Sequence, residues 1–324
     1  MRIARWAQHG VTADGFVIGD HVVPFPDGAT MADVLAGGLA AALELGASAH
    51  VVDGIPLTDV SLLAPLVPAS IRDFVAFEEH VEGVTASIDG VSEVVPEWYE
   101  YPTFYFTNPH SILATDELVS PPVTERLDFE LEVGAVIGGV PGSDGANLTV
   151  ADAAEHIFGY LVFNDWSARD VQGREMKVRL GPCKGKDFGT TLGPWIVTAD
   201  EFASLHDDEG FLPLTMEVAV NGEQVGIDLL SNMGWPFAEL VAYASRNSRV
   251  VPGDVLGSGT AGNGGCLAEL WGRRGELSPP PLATGDEVVM RVEGIGEIRN
   301  VVGAAASVPP IPPARIRPRL RVRP

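Results

Sequence analysis

The stretch Phe129–Gly138 reads FELEVGAVIG, and its reading decides how the rest of the chain is understood. Its phenylalanine, leucine, valines and isoleucine have the composition of a buried β-strand. Glu130 and Glu132 stand two residues apart, on one face of such a strand and roughly 6–7 Å from each other. If that face is exposed, both glutamates are solvated while Leu131 and Val133 point to the core. If it is buried, two anions share a poorly hydrated surface and a positive charge must neutralise them.

Outward from this strand the chain is rich in short strands separated by Gly- and Pro-containing loops. PTFYF (102–106), YLVFND (160–165), GPWIVT (193–198), LTMEVAV (214–220) and DEVVMRVEGIG (286–296) are the clearest. Residues 1–66 form a first small unit: RIARW, GFVIG and HVVPF as short strands, then TMADVLAGGLAAALELG (30–46) with helical composition. ADAAEHIFGY (151–160) and GWPFAELVAYASR (234–246) have the strongest helical patterns elsewhere. They are not spaced as repeated βαβ units, so a doubly wound parallel sheet is not expected. A mixed α+β, strand-dominated fold is. The final run, SVPPIPPARIRPRLRVRP (307–324), reads as an extended Pro/Arg-rich tail, with 309–324 lying outside the folded unit.

The 324 residues are 46% hydrophobic with a formal charge of −23, which argues against nucleic acid or an anionic membrane as partner. The start, MRIARWAQHGV, lacks the apolar run of a signal peptide, and no eighteen-residue apolar run offers a membrane span. Cys183 and Cys266 suggest no disulfide framework or zinc motif, as expected of reduced thiols in a cytoplasmic protein.

Other acids lie in similarly apolar surroundings. Asp165 ends the run GYLVFN, and IRDFVAFEEHV (71–81) carries Asp73 and His80 seven residues apart, on one face if the segment is helical. If Asp73, Glu130, Glu132 and Asp165 converge, which spacing alone does not establish, they would make an all-oxygen site for one hard divalent cation, Mg²⁺ first, with Ca²⁺ or Mn²⁺ as alternatives. Such an ion would neutralise the paired glutamates. Arg169, Gln172, Lys186 and Thr190 follow closely and could hold an anionic substrate. The glycine-rich loop GSGTAGNGG (257–265) lacks the Lys-Ser/Thr ending of a P-loop and reads as backbone lining a pocket. Glu269, in LAELW (267–271), is a further acid within an apolar run.

LDFELE (127–132), FNDWSARDVQ (163–172), GKDFGTTLGPW (185–195) and the late GSGT…AELW occur in an order that resembles the fumarylacetoacetate hydrolase superfamily over roughly residues 70–305. IRDFVAFEEHV and PEWYEYPTFYFTNPHS (96–111) are similar to the family's earlier segments. The resemblance implies a β-sandwich roll over residues 67–308, a small β-rich N-terminal domain and a homodimer. It also implies Asp73, Glu130, Glu132 and Asp165 as metal ligands, His80 as the group that activates water, and Glu269 as the acid that orients it. By the same resemblance Arg169, Gln172 and Lys186 stabilise an oxyanion, while Tyr105, Thr260, Arg169 and Gln172 contact substrate. Two places where family members grip substrate with arginine and tyrosine hold Asp89 and Met176 here. That departure argues against fumarylacetoacetate itself. His110, in NPHS, is a weaker alternative catalyst, with a loop or packing role the preferred reading.

The implied activity is metal-dependent hydrolytic cleavage of a C–C bond in a small anionic dicarbonyl, a β-diketone or acylpyruvate-type acid. The rival readings are decarboxylation, hydration or tautomerisation of a 2-oxo acid through the same enolate, and a non-catalytic homologue that binds a ligand.

Overall fold

The computed structural model describes residues 1–50, 54–89 and 93–315. The first strands are β1 (Arg2–Gln8), β2 (Val11–Ile18), β3 (His21–Pro24), β4 (Ile55–Pro56) and β5 (Ser61–Leu63). Then come β6 (Ile71–Phe74), β7 (Phe104–Thr107), β8 (Ile112–Leu113), β9 (Leu118–Val119), β10 (Leu127–Asp128) and β11 (Leu131–Ile137). The remainder are β12 (Ile157–Asp165), β13 (Ser167–Ala168), β14 (Thr190–Thr198), β15 (Thr215–Val220), β16 (Glu223–Leu229), β17 (Val255–Gly257), β18 (Glu287–Val292) and β19 (Gly296–Val302). Helices α1 (Met31–Gly46), α2 (Glu78–Asp89), α3 (Val150–Glu155), α4 (Arg169–Met176), α5 (Phe237–Ser245) and α6 (Leu267–Arg274) are interspersed.

A 12-stranded sheet runs β4-β3-β2-β1-β14-β12-β11-β17-β6-β7, with β5 on β1 and β8 on β14. A five-stranded sheet, β16-β15-β18-β19-β9, packs on it through β19 against β14 and β12. Most neighbours are antiparallel, and β17–β6, β14–β8 and β19–β9 are parallel. The fold is thus mixed α+β and strand-dominated, as the composition of the segments predicts. The strands of residues 1–66 join the large sheet where β1 pairs with β14.

β11 and β12 are buried along their whole length because both faces are covered. Leu131, Val133, Ala135 and Ile137 enter the core shared with the five-stranded sheet. Val136 enters a second core beneath α1. Such two-sided burial reads as a near-continuous apolar run rather than an alternation. α1 is interrupted at Gly38, whose φ is +81°; a Cβ there would lie 2.0 Å from the Gly139 carbonyl oxygen. Only glycine fits that approach.

Three local expectations are corrected. ADAAEHIFGY is not one helix: α3 ends at Glu155 and β12 begins at Ile157. Thr149 caps α3 by accepting from Asp152 N at 3.2 Å, while Ile157, Phe158 and Tyr160 are better accommodated inside the sheet. Asp73 and His80 do not share a helix, since Asp73 is in β6 and His80 in α2. The paired-glutamate strand is broken, with Glu130 in the gap between β10 and β11. Of the Pro/Arg-rich tail, 309–315 is exposed without helix or strand, and the rest lies outside the described residues. Among the described residues no helix is long and apolar enough to cross a membrane.

Candidate active site

Sheet register assembles the acids. Gly257 of β17 is paired with Gly134 of β11 on one side and with Asp73 of β6 on the other. Asp73 and Glu132 therefore meet over Gly257. A Cβ on Gly257 would lie 2.7 Å from Asp73 Oδ1 and 2.8 Å from Glu132 Oε2. Carboxylate oxygens of Asp73, Glu130 and Glu132 all come within 4.8 Å of one another. Asp165, at the end of β12, joins them through Lys186, whose Nζ donates to Asp165 Oδ2 at 2.7 Å and also to Glu130 Oε2. Tyr105, opposite Asp73 on β7, donates its hydroxyl to Asp165.

All four acids are buried, so the solvated-glutamate reading of Glu130 and Glu132 does not hold. Part of their neutralisation comes from the protein. Burial favours the neutral form of Glu130, but Lys186 and Arg169 outweigh it and hold its pKa low. Lys186 is kept charged in return: burial opposes this, but Asp165 and Glu130 prevail. The remaining acids are less well served. Burial, reinforced by Asp165, pushes Asp73 well up, and burial reinforced by Asp73 does the same to Glu132. Asp73 Oδ1 and Asp165 Oδ1 are buried without a hydrogen-bond partner among the described residues. Five buried carboxylates, Asp128 included, face two cations, Lys186 and Arg169. The donor chemistry, the orphaned oxygens and the missing charge all fit a hard divalent cation.

Glu132 is oriented by the glycine-rich loop: Gly259 N donates to its Oε2 at 3.0 Å, and Thr260 Oγ1 lies 3.5 Å from Oε1. Arg169, opening α4, sets Nη1 2.7 Å from Glu130 Oε1 and 3.2 Å from Gln172 Oε1. These groups, with His80, Tyr105 and Thr260, line a cavity of about 340 Å³.

His80 is buried on α2, and burial lowers its pKa to about 4, with Arg169 and Lys186 adding to the effect against Glu130. Its Nδ1 lies 3.6 Å from Cys266 Sγ. Glu269 takes a different place from the one expected of an acid paired with that histidine. It packs against Gly83, three residues beyond His80, where an added Cβ would come within 2.3 Å of its Cγ. Its carboxylate lies 2.9 Å from Arg273 Nη2 and accepts from Gly264 N at 3.4 Å. Among the described residues no hydrogen bond joins it to His80. Burial raises its pKa to about 7, against the pull of Arg273.

Two contributors escaped the sequence reading. Fully buried Asp128 accepts from Arg169 Nε at 2.8 Å and from Leu267 N and Ala268 N at 2.8 and 3.0 Å, tying α4 to the start of α6. Cys266 precedes α6, and its Sγ accepts from Glu269 N at 3.4 Å. The only sequence signals are an acid within the apolar run LDF and a small polarisable residue before a helix. Thr190 is buried opposite Asp165 without lining the cavity, and His110 is exposed on a turn. Asp89 closes α2, with its side chain outside the described ones.

Gly257 is a sensitive position in this arrangement. Gly257→Ala places a methyl group against two carboxylates that have little room to retreat. Its expected effects are at least a ~10-fold loss of divalent-cation affinity and a stability loss of about 1–3 kcal/mol. Calorimetric titration with Mn²⁺ and thermal unfolding measure both.

A family model for the fumarylacetoacetate (FAA) hydrolase C-terminal region matches residues 69–303. Fumarylacetoacetase of Arabidopsis thaliana is 31% identical over 268 residues, covering 68% of this chain and 63% of that protein. The Bos taurus fumarylacetoacetase is 32% identical over 279 residues, covering 69% of this chain and 66% of its own. The chain thus spans somewhat less than two thirds of the length of these two relatives. Among solved structures, fumarylacetoacetate hydrolase from psychrophilic Exiguobacterium antarcticum superposes with a TM-score of 0.71 at 26% identity, covering 94% of this chain and 99% of that one. Maleylpyruvate hydrolase from Sphingobium sp. SYK-6, solved with manganese(II) and pyruvate, shares the fold with a TM-score of 0.67 at 22% identity, covering 94% and 100%. The matched segment contains every residue gathered at the cavity, and on these grounds the chain belongs to the fumarylacetoacetate hydrolase family.

Proposed function

We propose that the protein is a metal-dependent hydrolase that cleaves a C–C bond in a β-diketone or acylpyruvate-type acid. The observation that carries this reading is the buried carboxylate set with two orphaned oxygens beside an uncharged, buried imidazole. Asp73, Glu130, Glu132 and Asp165 would hold one divalent cation, with Mg²⁺ the first choice for an oxygen donor set and Ca²⁺ or Mn²⁺ as alternatives. When bound, the cation supplies Lewis acidity toward the paired oxygens of a dicarbonyl and stabilises negative charge there.

His80 is neutral near pH 7 and can take a proton from water. Nδ1 faces Cys266 Sγ, and in the tautomer that carries its proton on Nδ1 the Nε2 atom would accept the proton from water. Arg169 and Lys186, fixed by their carboxylate partners, direct positive charge at the cavity where an oxyanion develops, and Gln172 offers its amide beside Arg169. Tyr105 and Thr260 form further polar parts of the wall. Glu269 is assigned as the buried acid of α6 that helps set the position of α2 beneath His80.

Product analysis by mass spectrometry in H₂¹⁸O, with acylpyruvates and with or without Mg²⁺, tests the reading. Two fragments with ¹⁸O in the new carboxylate, only with metal, are the expected result. Release of carbon dioxide or an intact carbon skeleton would replace hydrolysis by decarboxylation or tautomerisation.

Glu269 also carries a pH prediction. Its pKa is raised from 4.5 to about 7 in the folded state, so the fold binds this proton more tightly than the unfolded chain does. Its contribution to stability therefore falls as pH rises from 4.5 to about 7 and is level above that. Glu269→Gln should remove on the order of 3 kcal/mol of this loss, making the variant more stable than wild type at pH 8 but not at pH 4. Thermal melts of the two proteins at both pH values check it.

A further inference from the structure

The cavity has two kinds of wall. One is the charged set already described. The other is apolar: Val75, Val84, Phe104, Met176 and Pro182. Each belongs to an element that also carries a site residue or leads to one. Val75 directly follows β6, Val84 is one helical turn past His80, and Phe104 adjoins Tyr105 and packs on Phe74 at 5.1 Å between ring centroids. Met176 ends α4 one turn beyond Gln172, and Pro182 leads toward Lys186.

The cations of the lining are committed. Arg169 is held by Asp128 and Glu130, and Lys186 by Glu130 and Asp165. Among the described residues that line the cavity there is no third lysine or arginine. Lys177 and Arg179 follow Met176 but are not part of the lining, and Lys184 is paired with Asp187 at 2.7 Å. A second carboxylate at the far end of a substrate would be desolvated on the apolar wall without a counter-charge, in a chain whose net charge is already −23. An alkyl or aryl group would gain from the same surface.

We propose that the substrate has a single anionic end: an acylpyruvate-type acid whose distal acyl arm is uncharged and apolar, packed on Val75, Val84, Phe104, Met176 and Pro182. Met176 is a specificity-determining residue in this scheme. The inference rests on the metal-dependent hydrolysis proposed above.

N-alkyl oxamates offer a test that needs no turnover, because they present two chelating oxygens and an arm that can be varied. Their binding to the Mg²⁺-loaded protein is measured by calorimetry, alongside kcat/KM for acylpyruvates with the same arms. Each added methylene should tighten binding by about fourfold until the wall is covered. Ending the arm in a carboxylate should weaken binding at least ~10-fold against the methyl-ended arm. Met176→Arg should reverse that preference, and Met176→Leu should keep it. A wild-type preference for the carboxylate arm, or affinity independent of arm length, would overturn the inference. Arm-dependent oxamate binding without acylpyruvate cleavage would overturn hydrolysis alone. No oxamate binding in the presence of Mg²⁺ would overturn both.

Discussion

Glu132→Gln should lose divalent-cation affinity by more than ~100-fold and metal-dependent turnover with it. The substitution keeps the volume of a fully buried side chain and removes only its charge. Gly259 N can still donate to the amide oxygen and Thr260 Oγ1 can accept from the amide nitrogen, so the loop should stay in place. The loss should be accompanied by a gain. Burial and the neighbouring Asp73 disfavour the charged form of Glu132, so a carboxyl group at this position costs the metal-free protein stability at neutral pH, where the unfolded chain would ionise it. The metal-free variant should therefore melt above metal-free wild type, while added Mg²⁺ raises only the wild-type midpoint. Thermal scans of four samples, each protein with and without Mg²⁺, give the answer. Equal Mg²⁺ stabilisation of both proteins would remove Glu132 from the ligand set.

His80→Ala should lower kcat by roughly 10²–10⁴ while leaving cation affinity within a few-fold of wild type. The two effects separate because His80 is held by α2 and Cys266, whereas the carboxylates come from β6, β11, β12 and the segment before β11. Burial keeps the imidazole neutral at working pH, so removing it takes away a proton acceptor without removing a charge from the acid cluster. Steady-state kinetics at saturating Mg²⁺, with a parallel binding isotherm, distinguish the cases. Unchanged kcat would assign proton transfer to another group, whereas joint loss of activity and metal would mean the acid cluster had collapsed.

Much of this architecture is legible in the chain. The strand-dominated character follows from short β-branched and aromatic runs broken by Gly and Pro. The anomaly of Glu130 and Glu132 correctly marks a place where anions are buried. What the pattern cannot give is which cations answer them, because Arg169 at the start of α4 and Lys186 in the segment before β14 are brought to Glu130 by the tertiary fold, not by local spacing. Local helical composition misleads at ADAAEHIFGY because the sheet buries Ile157, Phe158 and Tyr160 at a profit that helix propensity does not register. Cys266 and Asp128 are silent in the sequence for a related reason. Their significance is a matter of what lies across from them: an imidazole in one case, a guanidinium and a helix start in the other.

Asp128 has a mechanical consequence. One rigid, fully buried carboxylate holds the guanidinium of Arg169 and the opening amides of α6 together, and the residue just before those amides, Cys266, touches His80. The guanidinium of Arg169 and the imidazole of His80 are thus fastened to opposite ends of a single strut. Under the proposed mechanism, any shift of Arg169 on substrate binding would reach the imidazole through that strut, coupling the grip of the site to its base.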